Sequence, residues 1–290
     1  MAGIIDLIGN TPMVELKKLN PNPNVTIYAK LEGNNPGGSV KDRASLNMIR
    51  SALERGDIKP GTKLIEATSG NTGIALAMIA GLFGLEIELV LPSNSTRERT
   101  LAMEAFGGKV TLLEGIEACR DYAEAKAATG EYFLLNQFAN PDNYKAHIKS
   151  TGPEIWKDTD GKITHFVSAM GTTGTIMGCS EFLKQKNNNI QIVGCQPTEG
   201  SSIPGIRRWP EAYLPKIFDP KRVDRVMDIS EPEAVEMTRK LAKVEGIFAG
   251  MSSGGAAAAS IKLAQELKGG VIVFICCDRG DRYLSSNLFG

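Results

Sequence analysis

Short runs of β-branched and aliphatic residues recur along this chain, separated by stretches of helical periodicity, and that alternation is what most restricts its fold. Runs at 25–31, 63–66, 86–91, 110–113, 132–135, 164–169, 191–195 and 271–276 have strand length and strand composition. Between them, apolar residues at three- and four-residue spacing predict helices over 40–54, 73–83, 97–106, 116–127, 141–157, 175–186, 232–244 and 254–266. Strand, helix and strand in that order are βαβ units around a parallel-rich sheet, so the expected class is α/β. At 290 residues the chain is about twice the usual domain length, which leaves room for two units sharing a cleft. The Pro/Gly-containing stretches 32–38 and 139–143 are candidate crossings between such units. Segment 201–219, with Pro204, Pro210 and Pro215, shows neither period, and loops of that length are often functional.

Charge and composition remove several classes of function. Lys plus Arg and Asp plus Glu each total 33, so the basic surplus that drives nucleic-acid binding is missing and no nucleic-acid partner is expected. The start, Met1-Ala2-Gly3-Ile4-Ile5-Asp6, lacks a signal peptide's basic and long apolar regions, and the uncharged run 74–85 is too short to cross a bilayer. The expected place is the cytoplasm, with no membrane partner. Five scattered cysteines without a Cys-x-x-Cys pair read as reduced thiols. Only His147 and His165 are present, so neither a histidine-based metal site nor a catalytic triad is expected, and both read as structural.

Four turns carry the candidate chemistry. Pro36-Gly37-Gly38-Ser39-Val40-Lys41-Asp42-Arg43 leads into a helix, with Ser39 placed to cap it and Asp42 at capping-box spacing. Lys41 then falls in the first turn, where the helix dipole favours the neutral amine needed for Schiff-base chemistry with an aldehyde. The plainer alternative is a surface lysine. Thr68-Ser69-Gly70-Asn71-Thr72 follows a strand and opens a helix, so its amides and hydroxyls can hold a carboxylate; an ordinary capped turn is the alternative. Gly171-Thr172-Thr173-Gly174-Thr175 offers backbone donors and hydroxyls to a phosphate, but neither a Walker lysine nor a Gly-x-Gly-x-x-Gly accompanies it, which points to a compact phosphate ester. Gly250-Met251-Ser252-Ser253-Gly254 matches the nucleophile elbow of α/β-hydrolases. There the histidine follows the serine, whereas both histidines here precede Ser252, so a serine hydrolase is disfavoured. Cys277, at a strand end beside Asp278-Arg279-Gly280-Asp281-Arg282, stays open between packing and a role in the site.

A lysine at a helix start, a carboxylate-holding turn, a phosphate-holding turn and a hydroxyl-bearing turn together suit pyridoxal 5'-phosphate and an amino-acid substrate. The same four motifs, in the same order, closely resemble the O-acetylserine sulfhydrylase family of fold-type II pyridoxal-phosphate enzymes. The resemblance runs from Ile8-Gly9-Asn10-Thr11-Pro12 to Cys277-Asp278-Arg279-Gly280-Asp281-Arg282-Tyr283-Leu284-Ser285. It implies that Lys41 holds the cofactor and moves the substrate's α-proton, and that Asn71 meets the cofactor's ring hydroxyl. It further implies that Thr68, Ser69, Asn71, Thr72 and Gln137 bind the substrate, that Gly171, Thr172, Thr173, Gly174 and Thr175 hold the phosphate, and that Ser252 faces the pyridine nitrogen. A neutral serine there does not enforce a protonated ring, which favours β-elimination and replacement.

The fold implied is tryptophan synthase β-like, with the cofactor between a smaller, mobile domain at 36–142 and a larger one formed by 1–35 with 143–290. A homodimer is implied. The reaction implied is β-replacement on O-acetyl-L-serine by sulfide to give L-cysteine. The segments 203–209 and 277–282 look like the family's B type, which accepts thiosulfate as well, and Arg207 and Arg208 are the candidate clamp for that dianion. O-Phosphoserine sulfhydrylases, cystathionine β-synthases and serine-threonine dehydratases are the enzymatic alternatives, and a cofactor-dead scaffold is disfavoured because every expected reactive position is filled.

Overall fold

The structure, a computed structural model, describes residues 3–68 and 70–290. In chain order the strands are β1 (Met13–Glu15), β2 (Val25–Leu31), β3 (Lys63–Ala67), β4 (Glu86–Pro92), β5 (Lys109–Leu113), β6 (Phe133–Leu134), β7 (His165–Ala169), β8 (Gln191–Pro197), β9 (Arg225–Ile229) and β10 (Gly270–Cys276). Among the described residues they form two sheets, six-stranded β1-β2-β10-β7-β8-β9 and four-stranded β5-β4-β3-β6. Every pairing is parallel except β1 with β2.

The α-helices are α1 (Lys41–Arg55), α2 (Asn71–Leu82), α3 (Arg97–Ala105), α4 (Gly115–Ala128), α5 (Pro141–Lys149), α6 (Thr151–Asp158), α7 (Gly174–Lys186), α8 (Glu231–Lys240) and α9 (Met251–Glu266). β10 lies inside the larger sheet, and Ile272, Val273, Phe274 and Ile275 are all fully buried, the continuous apolar run of a strand covered on both faces. α2 is apolar nearly all round and is buried from Thr72 to Ala80, as a helix enclosed by its own sheet and neighbours must be.

α9 explains the Gly-x-Ser-x-Gly match without a nucleophile. A Cβ at Gly254 would lie 2.0 Å from Thr238 Oγ1 and 2.4 Å from the Ala234 carbonyl of α8, so the glycine is there for close helix packing.

Three expectations need correction. The helix expected at 141–157 is two helices broken at Ser150, whose φ of −133° is not helical. Pro153 has no N–H to continue the α5 ladder, and its ring would crowd the carbonyl four residues back. β1 and β9 are strands that the run pattern does not predict: β1 has three residues, and β9, an edge strand, has three exposed positions in five. The capping box at Ser39 and Asp42 does not form. Gly38, at φ +80°, turns the chain so that the Asp42 carboxylate takes the N–H of Gly37, while Ser39 Oγ accepts from the Lys41 N–H at 3.2 Å.

A buried ionic cluster fixes the start of α1. Arg43 Nε donates to Glu32 Oε2 at 2.7 Å and its Nη1 to Glu154 Oε1 at 2.6 Å, and Lys30 Nζ lies 3.0 Å from both Glu154 and Asp158. Lys30 also donates to the Thr11 carbonyl at 2.7 Å, so the N-terminal segment, β2, α1 and α6 meet at one point. Burial raises Glu154, but the Arg43 bond outweighs it and the carboxyl ends at about 2.

Candidate active site

One pocket gathers Lys41, Thr68, Asn71, Thr72, Gln137, Gly171, Thr172 and Arg207 from the sequence-derived candidates. Thr68, Gly171 and Cys277 all follow the carboxyl ends of parallel strands, where α/β sheets place ligands.

Lys41 is the first residue of α1, and the stretch before it is pinned to the end of β10. The Val40 N–H donates to the Cys277 carbonyl at 2.8 Å, and Ser39 forms an antiparallel bridge with Asp278. Burial lowers the pKa of the amine, with Cys277 and Asp278 opposing the shift. The neutral amine expected from sequence is therefore favoured, and desolvation is the larger cause. The Cys277 thiol is pushed up to about 11 by burial, with Asp278 adding to the shift, so it is a thiol and not a thiolate.

The turn after β3 is held by its own hydroxyls and by Gln137. Thr68 Oγ1 accepts from the Gly70 N–H at 3.1 Å, and Thr72 Oγ1 donates to Gln137 Oε1 at 2.8 Å. Gln137 Nε2 donates to the Ala67 carbonyl at 2.7 Å, which holds the amide beside the turn. Gly70 has φ +143°, and a Cβ there would lie 2.4 Å from Arg99 Cδ, so α3 lies directly over this turn. Ser69, a candidate substrate contact, lies outside the described residues.

The turn after β7 leads into α7. Thr173 takes φ +70°, and Thr172 Oγ1 receives the Asn143 amide at 3.3 Å. A Cβ at Gly171 would lie 2.8 Å from the Gly205 carbonyl and one at Gly174 2.0 Å from Asn143 Oδ1, so only glycine fits either position. Buried Thr175 sits one residue into α7, with His147 Nε2 3.5 Å from its hydroxyl. His147 is held well below its ordinary pKa by burial, with Arg43 and Lys41 adding to the effect, and is neutral.

Ser252 does not line the pocket itself. It sits behind Gly205, which does; a Cβ at Gly205 would be 3.1 Å from that of Ser252. The bonds made by the histidines go to Thr151, Thr175 and Thr164.

The two arginines of 203–209 separate. Arg207 lines the pocket, its pKa lowered by burial, and its N–H donates to the Met170 carbonyl at 2.9 Å. Arg208 turns outward to Asp228 Oδ1 at 2.7 Å and the Pro197 carbonyl at 3.0 Å, and it borders only an outer hollow. The edge strand β9, not foreseen from sequence, supplies the carboxylate that draws it away.

The pocket also contains residues that sequence reasoning did not assign. Trp209 Nε1 donates to the Gly171 carbonyl at 2.7 Å, and the Trp209 ring meets Phe138 edge-on at 5.4 Å. Arg99 lies over the Tyr283 ring at 4.7 Å. A glycine-rich turn facing an irregular loop was the available signal for Trp209, whereas nothing local marks Arg99 or Tyr283.

The donor set fits pyridoxal phosphate: a buried amine of lowered pKa stands between a hydroxyl-and-amide turn and a second turn in which two glycines and the threonines between and after them offer backbone N–H groups and hydroxyls. Among the described residues no group of His, Cys, Asp and Glu could hold a metal ion.

Comparison with known proteins agrees with the geometry. Cysteine synthase B of Pseudomonas aeruginosa is 58% identical over 289 residues, covering 99% of this chain and 97% of the relative. Cysteine synthase B of Escherichia coli is 55% identical, covering 100% and 97%. Among solved structures, a cysteine synthase from Entamoeba histolytica superposes with a TM-score of 0.92 at 39% identity, covering 100% of this chain and 90% of that one. The family model described as pyridoxal-phosphate dependent enzyme matches residues 4–278, a span that takes in both sheets, Lys41 and the turns after β3 and β7, and the chain belongs to that family.

Proposed function

We propose that this protein is a cysteine synthase that joins O-acetyl-L-serine and sulfide into L-cysteine by β-replacement, with release of acetate. The observation that carries the reading is Lys41: its amine is buried, of lowered pKa, and flanked by two turns suited to two different anions. When bound, pyridoxal phosphate supplies an electron sink for the substrate's α-carbon.

This chain's residues do the rest. Lys41 Nζ, neutral in its buried setting, takes the α-proton and returns it. Thr68, Thr72 and Gln137, with Ser69 between them in the chain, hold the substrate carboxylate, which fixes the α-carbon against the amine. Asn71 would hold the cofactor's ring, and Ser252, which stands behind Gly205, would supply a neutral hydroxyl on the pyridine side. Residues 171–175 hold the phosphate through backbone N–H groups and threonine hydroxyls at the start of α7. Arg207 gives the pocket wall a positive group, which suits an anionic sulfur donor and makes thiosulfate a second donor under this reading. Movement of 36–142 toward the larger unit would exclude water while the β-carbon is reactive. The reading includes a cytoplasmic homodimer, for which light scattering on the purified protein would return about twice the 31.2 kDa chain mass.

The test is direct: the cofactor-loaded protein is given O-acetyl-L-serine with sulfide, and L-cysteine and acetate are quantified against O-phospho-L-serine and against thiosulfate. L-Cysteine in step with acetate is expected. Loaded protein that makes no L-cysteine from either serine ester would overturn the reading.

A further inference from the structure

Two side chains on the segment after β10, Asp278 and Arg282, meet Asn71, and a third, Tyr283, meets Asp278. Asp278 is 1% exposed, and its Oδ2 accepts from Asn71 Nδ2 at 2.7 Å and from the Tyr283 hydroxyl at 2.7 Å. From the other end of the amide, Arg282 Nη1 donates to Asn71 Oδ1 at 3.1 Å. A carboxylate accepts and a guanidinium donates, so together they select one of the amide's two flip states. One Asn71 N–H is spent on Asp278 and the carbonyl is turned to Arg282, so the second N–H is the donor left for the pocket that Asn71 lines.

Other features mark Asp278 as more than a tether. Its Oδ1 is buried without a hydrogen-bond partner, and a Cβ at Gly250 would lie only 2.4 Å from it. A buried carboxylate oxygen left unpaired is a cost to the fold. The same residue forms the bridge to Ser39, two residues before Lys41. Arg282 is anchored in turn, donating to the Gly37 carbonyl and, through its own carbonyl, accepting from Thr96 Oγ1 at 2.9 Å.

We propose that Asp278, with Arg282, is a positioning residue that holds the Asn71 amide in the orientation presenting a donor, and not an acceptor, to the cofactor's ring oxygen. That oxygen is then received as an acceptor, in its deprotonated form. The inference rests on the reading of Asn71 as the ring contact, and the experiment separates the two.

The visible absorption band of the purified holoenzyme and the Kd for pyridoxal phosphate re-added to resolved apoenzyme are measured in five variants. Asp278→Ala frees the amide to turn, so its band shifts and its Kd rises about tenfold, the effect of losing one buried charge-assisted bond. Asp278→Asn keeps an acceptor toward Asn71 and Tyr283 and retains the parent's band. Tyr283→Phe removes only the other claimant on Oδ2 and also retains it. Arg282→Met attacks the same orientation from the carbonyl end, moves the band in the same direction as Asp278→Ala, and decides the matter if that variant does not accumulate. A parental band in both Asp278→Ala and Arg282→Met would overturn the proposal. So would a Tyr283→Phe band matching that of Asp278→Ala, because Asp278 would then only anchor the C-terminal segment. Asn71→Ala is the reference: a parental band there removes Asn71 from the ring and this proposal with it, whereas a shifted band there with an unshifted Asp278→Ala sinks the positioning role alone.

Discussion

The pocket has two opposite walls, and they are built by different chemistry. The turn at 171–175 uses backbone: two glycines that tolerate no Cβ, a threonine at φ +70°, and neighbours that are neutral amides and a neutral imidazole. The segment after β10 uses buried side chains instead, with Asp278 and Arg282 bonded to the Asn71 amide more than 200 positions earlier in the chain and Tyr283 bonded to Asp278. A wall made of N–H groups binds an anion without bringing a counter-charge of its own, whereas a wall made of side chains can set the orientation of another side chain. Lys41 lies between them, attached to the second wall through Val40 and Ser39.

The largest expected effect removes the group both walls serve. Lys41→Ala should lose turnover by more than about a thousandfold, the range of a lost acid–base group. Borohydride treatment of the parent followed by peptide mapping should find the cofactor fixed on Lys41; fixation on another lysine would remove it from the centre of the comparison. Next is the backbone wall. In Gly174→Ala the new methyl meets Asn143 Oδ1 at 2.0 Å, so Asn143 must leave Thr172 and the cup must open. Overpacking of this kind should weaken pyridoxal phosphate by about tenfold or more in an apoenzyme titration. A variant with parental affinity would mean that the turn is not the phosphate site.

The two walls were unequally legible in the sequence for the same reason. Gly171-Thr172-Thr173-Gly174-Thr175 is a local object whose residues make the turn and bear the donors, so its spacing alone suggested an anion. The charged run at 278–282 is equally visible, but its partner Gly37 is brought to it by the parallel register of β10 against β2 and by the bridge at Ser39, and its partner Asn71 comes from the turn after β3 of the other sheet, which no local pattern reports. The helices and buried strands followed from periodicity because burial writes it into them. β9 was missed because an edge strand has little to bury, and with it went the explanation of Arg208. The break at Ser150 was missed because the apolar period carries across it, while Pro153 acts through a carbonyl of the preceding helix.

Buried carboxyls extend the contrast between paired and unpaired charge into pH dependence. Glu154, held by Arg43 and Lys30, titrates at about 2, below its ordinary 4.5. A depressed carboxyl contributes stability that is present above its unfolded pKa and lost as pH falls through the folded one. Glu154→Gln should therefore cost roughly 3 kcal/mol near pH 6 and converge with the parent by about pH 2. Glu66 on β3 is the reverse case. Burial pushes it up to about 8, its Oε1 accepts only backbone N–H, at 3.2 Å from Gln137, and its Oε2 has no partner among the described residues. Its contribution is present below about 4.5 and lost as pH rises through 8, so Glu66→Gln should leave stability unchanged at pH 5 and raise it at pH 8.5. Chemical denaturation at the two pH values checks both signs, and a destabilised Glu66→Gln at pH 8.5 would show that the carboxylate is paired in solution.

The smallest expected effect tests whether charge at the pocket wall is matched to one sulfur donor. Arg207 borders the pocket and is lowered in pKa by burial, with Glu117 opposing, so its charge sits in a setting where a small anion interacts with it strongly. Arg208, with a side chain 42% exposed and paired to Asp228, is screened by water and already satisfied. Thiosulfate carries two charges and three terminal oxygens to be placed, whereas sulfide needs little beyond access to the reactive carbon. Arg207→Ala should therefore slow the thiosulfate reaction several-fold more than the sulfide reaction, and Arg208→Ala should leave both within about twofold of the parent. Rapid mixing of the serine ester-treated enzyme with each donor gives the two rates separately from ester binding. Equal losses for both donors in Arg207→Ala would make that arginine a packing element of the loop, and a donor-selective loss in Arg208→Ala would mean that the outer hollow, not the inner wall, meets the incoming dianion.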